Sequence, residues 1–133
     1  LCGVLALEPK VLILDEPTVA LDYQSREEIM AMVKRLKEEF DMTIVLVTHN
    51  MDYVLEYADK VFVLKNGEIS FEGKVEDLFL NEQVLKDNSL ELPEVLKFYK
   101  KLEANSIVLD VFPRKYEELI NALKNKIGSS RNE

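Results

Sequence analysis

The sequence predicts an α/β fold, a parallel sheet with flanking helices followed by a small helical C-terminal tail. Three observations carry that expectation. Two apolar runs, Val11-Leu12-Ile13-Leu14 and Thr43-Ile44-Val45-Leu46-Val47, bracket a stretch of helical period, the order of a strand, a crossover helix and a parallel strand. Asn66-Gly67 stands between the apolar runs 61–64 and 69–71, the strongest short-range hairpin signal because both turn residues need positive φ. Past Gly73 the strand patterns stop and helical ones follow.

Each element has its own warrant. The run 11–14 is apolar on both faces, as in a central strand covered on both sides, and Pro17, which has no N–H for a ladder, ends it. From Asp22 to Phe40 the period changes: Ile29, Met32, Val33, Leu36 and Phe40 recur at helical spacing. Ser25 with Glu28 three residues on has the form of a capping box, so either Asp22 or Ser25 can cap this helix. The β-branched run 43–47 is a second buried strand, closed by Thr48-His49-Asn50. Met51, Val54, Leu55 and Ala58 give a short second helix, and the hairpin follows. Helical patterns then come from Leu78 and Phe79, from Val95, Phe98, Tyr99 and Leu102, and from Tyr116, Leu119, Ile120, Leu123 and Ile127. Pro93 suits a first helical turn, and Pro113 breaks what precedes it. Residues 1–7 read as the middle of a helix, and residues 128–133 as a frayed tail.

Composition bounds the function. The 133 residues are 47% hydrophobic and 32% charged, with 4 Gly and 4 Pro, the balance of a folded domain and not of a disordered or fibrous chain. Asp and Glu outnumber Lys and Arg by 25 to 17, giving a net charge of −8, so nucleic acid and anionic membrane surfaces are poor default partners. Acidic side chains are twice as numerous as basic ones in residues 1–80 and equal in number beyond, which divides the chain into 1–80 and 81–133. No apolar run nears the roughly 18 residues of a transmembrane helix. Residues 1–7 lack the pattern of a signal peptide, and the single Cys2 has no internal disulfide partner. A reducing, cytoplasmic setting is expected.

In parallel α/β sheets ligands gather beyond the carboxyl ends of the strands. The first strand ends in Asp15 and Glu16, one charge on each side of its tip. Asp15 suits Mg²⁺, directly or through water, and Glu16 suits orienting or deprotonating a water. The second strand ends in His49, the one histidine of the chain, and if that strand lies beside the first, the spacing of roughly 5 Å between neighbours brings His49 near the same ligand. Taken singly, each has a plainer role: a solvated strand end for Asp15 and Glu16, a hydrogen-bonded structural histidine for His49, a helix N-cap for Asp22.

Together these residues resemble one family. Val11-Leu12-Ile13-Leu14-Asp15-Glu16-Pro17-Thr18, Ala20-Leu21-Asp22, Thr48-His49-Asn50, and Lys65-Asn66-Gly67-Glu68-Ile69 with Gly73 resemble, in order and spacing, the Walker B motif, D-loop, H-loop and trailing hairpin of an ABC-type ATPase, a P-loop NTPase. The resemblance covers residues 1–80. It implies that Asp15 is the Mg²⁺-associated aspartate and Glu16 the glutamate that polarises the attacking water. It further implies that His49 contacts the γ-phosphate of ATP and that Asp22 works where two ATPase domains meet around ATP. Phosphoryl transfer of this kind is mostly positioning and charge neutralisation. The family usually has Ser or Gly before Ala20, where this chain has Val19.

Nowhere in the chain is there a G-x-x-x-x-G-K-[ST] phosphate loop, a Gln loop or a Leu-Ser-Gly-Gly-Gln signature. The resemblance therefore implies the C-terminal half of a nucleotide-binding domain, from just after the signature, and the chain alone is expected to be inactive. Gly73-Lys74-Val75-Glu76-Asp77-Leu78-Phe79, Leu90-Glu91-Leu92-Pro93-Glu94-Val95 and Tyr116-Glu117-Glu118-Leu119-Ile120 resemble the tail of the energy-coupling-factor ATPases that drive vitamin and cobalt or nickel uptake. That implies an importer subunit, peripheral to the cytoplasmic membrane, paired with a second ABC ATPase subunit and an integral membrane transporter subunit, with residues 81–133 as a dimerisation element. Two other readings stand: a soluble ABC-type ATPase outside transport, disfavoured by the acidic charge, and a non-catalytic interaction module.

Overall fold

In a computed structural model, residues 9–129 are described, and the expected helix over residues 1–7 lies outside them. The chain divides into two compact units, one ending at His49 and the other beginning at Asn50. In the first, β1 (Val11–Asp15), α1 (Tyr23–Phe40) and β2 (Thr43–Val47) follow one another. β1 and β2 pair in parallel, with Val11 opposite Thr43 and Asp15 opposite Val47, so the expected strand, crossover helix and strand form one unit.

The sheet is covered on one face. Leu12 and Leu14 from β1 and Val33 and Leu36 from α1 are buried together with Met42, and Ile44 and Leu46 pack against them. Val11, Ile13, Val45 and Val47 point the other way and are exposed. The expectation of a strand buried on both sides is thus met on the α1 side alone, because side chains alternate along a strand and α1 is the layer packed on this sheet among the described residues. α1 also turns its stripe from the expected one: Met30 is fully buried, whereas Phe40 at the last turn is exposed.

The second unit opens with α2 (Met51–Tyr57), capped by Asn50, whose side-chain oxygen accepts from the N–H groups of Asp52 and Tyr53. β3 (Lys60–Lys65) and β4 (Glu68–Lys74) form an antiparallel hairpin with Lys65 opposite Glu68. Asn66 and Gly67 have φ of 54° and 83°, the double positive φ that a tight hairpin turn of this twist demands. Four helices follow: α3 (Val75–Leu80), α4 (Glu82–Asp87), α5 (Glu94–Ala104) and α6 (Tyr116–Ser129). α6 continues through Gly128, which was expected in the frayed tail. Pro93 sits one residue before α5, as its N-cap.

One core holds this unit together. Val54 and Leu55 of α2, Val63 of β3, Val75, Leu78 and Phe79 of α3, Leu96 of α5 and Leu119 of α6 are buried in the same cluster. The hairpin therefore shares its core with the tail helices, and the compact units divide at 49/50, whereas composition and resemblance drew the functional division at 80/81. Arg114 ties the tail down: its guanidinium donates to the Ala58 carbonyl at 2.9 Å and to Glu76 Oε1 at 2.6 Å, and its N–H donates to Glu118. No described helix is long and apolar enough to cross a membrane.

Candidate functional site

The first unit builds a polar cluster where β1 and β2 end side by side. The ladder continues one residue past β1, because the Glu16 N–H donates to the Val47 carbonyl at 2.9 Å. The chain then turns sharply: Glu16 has φ of 44°, in the left-handed region that a side chain with a Cβ enters only at a cost of about 1 kcal/mol or more. Val19 N–H to Glu16 O and Leu21 N–H to Thr18 O close tight turns behind it, and Thr18 is buried. Strain of this kind persists where surrounding contacts over-determine it.

Those contacts come from consecutive residues at the end of β2. Glu16 Oε1 accepts from the His49 backbone N–H at 3.0 Å and meets His49 Nδ1 at 2.5 Å, while the Thr48 hydroxyl donates to Oε2 at 3.4 Å. A carboxylate only accepts, so the Nδ1 that meets it carries the proton. The His49 imidazole hydrogen bond is the main influence holding the Glu16 carboxyl below the usual glutamate range. Partial burial opposes it, and the His49 N–H, the imidazole charge and the Thr48 hydroxyl reinforce it. Glu16 is thus an ionised acceptor at neutral pH, 30% exposed at its side chain, beside an imidazole that is 82% exposed.

The four residues singled out in the sequence are not gathered into one cluster. Glu16 and His49 touch. Asp15 is the exposed last residue of β1, on the face of Ile13 and Val11. Asp22 caps α1: its Oδ1 accepts from the Ser25 N–H at 3.0 Å and its Oδ2 from the Ser25 hydroxyl at 2.8 Å. Of the two cap candidates Asp22 is the one used, and the capping box from Ser25 does not form, since Ser25 lies inside the helix and Glu28 accepts from Gln24. Those two Ser25 donors hold the Asp22 carboxyl below its ordinary range. Thr48 is the residue whose contact with Glu16 was not foreseen, although a hydroxyl directly before the histidine at a strand end was its signal.

The donor chemistry suits Mg²⁺ that travels with phosphates. Magnesium takes oxygen ligands, often one or two carboxylates with the rest from phosphate and water. Asp15 offers such an oxygen at the strand end, and among the described residues no three His, Cys, Asp or Glu side chains are grouped to hold an ion by themselves.

No protein-family profile matches the chain. Curated proteins do. The chain is 44% identical over 127 residues to the energy-coupling factor transporter ATP-binding protein EcfA2 of Enterococcus faecalis, covering 96% of this chain and 44% of that protein. It is 40% identical over 111 residues to the ATP-binding protein EcfA of Methanoculleus marisnigri, covering 84% of this chain and 40% of that protein. The chain thus spans less than half the length of the curated relatives it matches. Among solved structures, cbiO1 from Clostridium perfringens, part of the ABC transporter complex cbiONQ, is 40% identical with a TM-score of 0.55, over 74% of this chain and 39% of that one. The dimeric ATP-binding cassette MJ0796 bound to ADP and Pi is 38% identical with a TM-score of 0.50, over 53% of this chain and 30% of that one.

Proposed function

The chain belongs to the ABC-type ATPases, with energy-coupling factor ATP-binding proteins among its relatives, and on that premise we propose that it is the C-terminal half of an importer's ATP-binding subunit. In this reading two such subunits enclose ATP, and closure with hydrolysis drives uptake of a vitamin or metal ion through an integral membrane partner. The protein works at the cytoplasmic membrane, held there by that partner. Residues 1–80 carry the chemistry, and residues 81–133 are the extension through which subunits associate. Exposed Tyr116, Ile120 and Ile127 on α6 support that last role.

The observation that carries the reading is the Glu16–His49 contact at adjoining ends of parallel strands. ATP hydrolysis needs a water aimed in line at the γ-phosphate and positive charge or donors on its oxygens. Glu16, held ionised, orients that water. His49 offers a donor to the γ-phosphate as its imidazole turns from Glu16. Asp15 would hold Mg²⁺, which supplies charge neutralisation on the phosphate oxygens. Asp22, at the start of α1, faces the second subunit.

Glu16→Gln in the full-length protein tests this. The amide keeps the shape and removes the charge, so ATP stays bound while steady-state phosphate release falls about 100-fold or more. Near-normal hydrolysis would remove Glu16 from its role. The 133 residues alone, lacking the phosphate loop, should neither retain ATP nor hydrolyse it, and robust turnover by that piece would count against the half-domain reading.

A further inference from the structure

The three donors that hold Glu16 are not equivalent. Oε1 takes both bonds from His49, one from a backbone N–H that the strand end fixes and one from an imidazole that is largely exposed. Oε2 takes the Thr48 hydroxyl, from a residue that is half-buried. A glutamate has three side-chain rotors, and a carboxylate held by one oxygen still swings about that bond; a second hold on the other oxygen fixes its plane. Glu16 also departs from its strand at φ 44°, so its backbone alone does not aim the side chain along the usual strand direction.

We propose that Thr48 is a positioning residue for the hydrolysis assigned above. Its hydroxyl and the His49 N–H form the fixed part of the cradle, and the imidazole is the part that leaves. When the imidazole turns to phosphate, Oε1 keeps the backbone donor and Oε2 keeps Thr48, so Glu16 stays aimed at the moment it must orient water. The 3.4 Å separation is long for a hydroxyl donor and is expected to shorten once the short imidazole bond no longer pulls the carboxylate toward Nδ1. This rests on the reading of Glu16 as the water-orienting group.

The test is steady-state ATPase kinetics on the full-length protein and its Glu16→Gln, Thr48→Val and Thr48→Ser variants. Thr48→Val, which keeps the branched shape, should lower kcat about 5- to 10-fold, the worth of one hydrogen bond, with KM for ATP within about twofold. Thr48→Ser, which keeps the hydroxyl, should return kcat to within about twofold of the parent. Wild-type kcat in Thr48→Val, a loss expressed in KM alone, or equal loss in Thr48→Ser overturns the proposal. Should Thr48→Val not fold, Thr48→Ala is held to the same kcat loss and the same comparison with Ser. An inactive parent, or an active Glu16→Gln variant, would instead sink the function proposed for the site, so the two failures are distinct.

Discussion

Glu16 and His49 stand 33 residues apart in sequence, yet the backbone N–H and Nδ1 of His49 both meet one oxygen of the Glu16 carboxylate, at 3.0 and 2.5 Å. That relationship makes each residue part of the other's environment. Glu16 fixes which imidazole nitrogen is protonated, and His49 holds the Glu16 carboxyl below the usual glutamate range.

His49→Ala removes the imidazole but leaves the backbone N–H and Thr48 on Glu16. The full-length variant should still bind ATP, with phosphate release reduced about 100-fold because the donor proposed for the γ-phosphate is gone. Turnover at the parent rate would leave His49 a structural residue.

Asp22 has one observed role, as the cap of α1, and one proposed role, and mutation can separate them. Asp22→Ala deprives α1 of its cap and should lower the thermal midpoint by a few degrees, whereas Asp22→Asn, a comparably good cap, should hold the midpoint. In the full-length protein Asp22→Asn should nevertheless slow hydrolysis, since the role proposed at the subunit interface needs the charge. Unchanged turnover in the Asn variant would make Asp22 a cap and nothing more.

The Arg114–Glu76 pair sets an acid limit on the second unit. The Arg114 hydrogen bond is the main reason the Glu76 carboxyl lies below the ordinary glutamate range in the folded chain. As pH falls the unfolded chain therefore takes up its proton first. The pair's stabilisation is full above the ordinary glutamate value and is lost as pH falls through the lowered folded value. With side chains 28% and 34% exposed, solvent screens the pair, and Arg114→Ala should cost about 1–2 kcal/mol at neutral pH, the lost bond to the Ala58 carbonyl included. Denaturant midpoints measured from neutral pH into the carboxyl range check this: the gap between parent and variant should narrow toward acid, and a constant gap would contradict the ion-pair account.

Much of this was legible residue by residue. Asn66-Gly67 specified its turn because few other residue pairs accept two positive φ values. Less was legible where several apolar residues compete for one face. Met30 and Leu96 turn inward while Phe40 and Phe98 turn out, because the partner surface and not the periodicity alone selects the stripe. α4 carries few apolar residues, so no helical pattern marked it in the sequence, and its start is held by Asn81, which accepts from the Val84 N–H. The left-handed turn at Glu16 had no signal in residue type.

By itself the sequence determined the alternation of strand and helix, the hairpin turn and the order of the acidic and histidine residues at strand ends, because these depend on local periodicity and on which backbone angles each residue tolerates. Tertiary structure alone decided the register of β1 against β2 and that Glu16 turns back to meet Thr48 and His49, and the folded chain chose Asp22 over Ser25 as the cap of α1. Those outcomes join residues distant in the chain or choose between competing partners, and a hydrogen bond between two side chains exists only once the backbones that carry them have been brought within about 3 Å of reach.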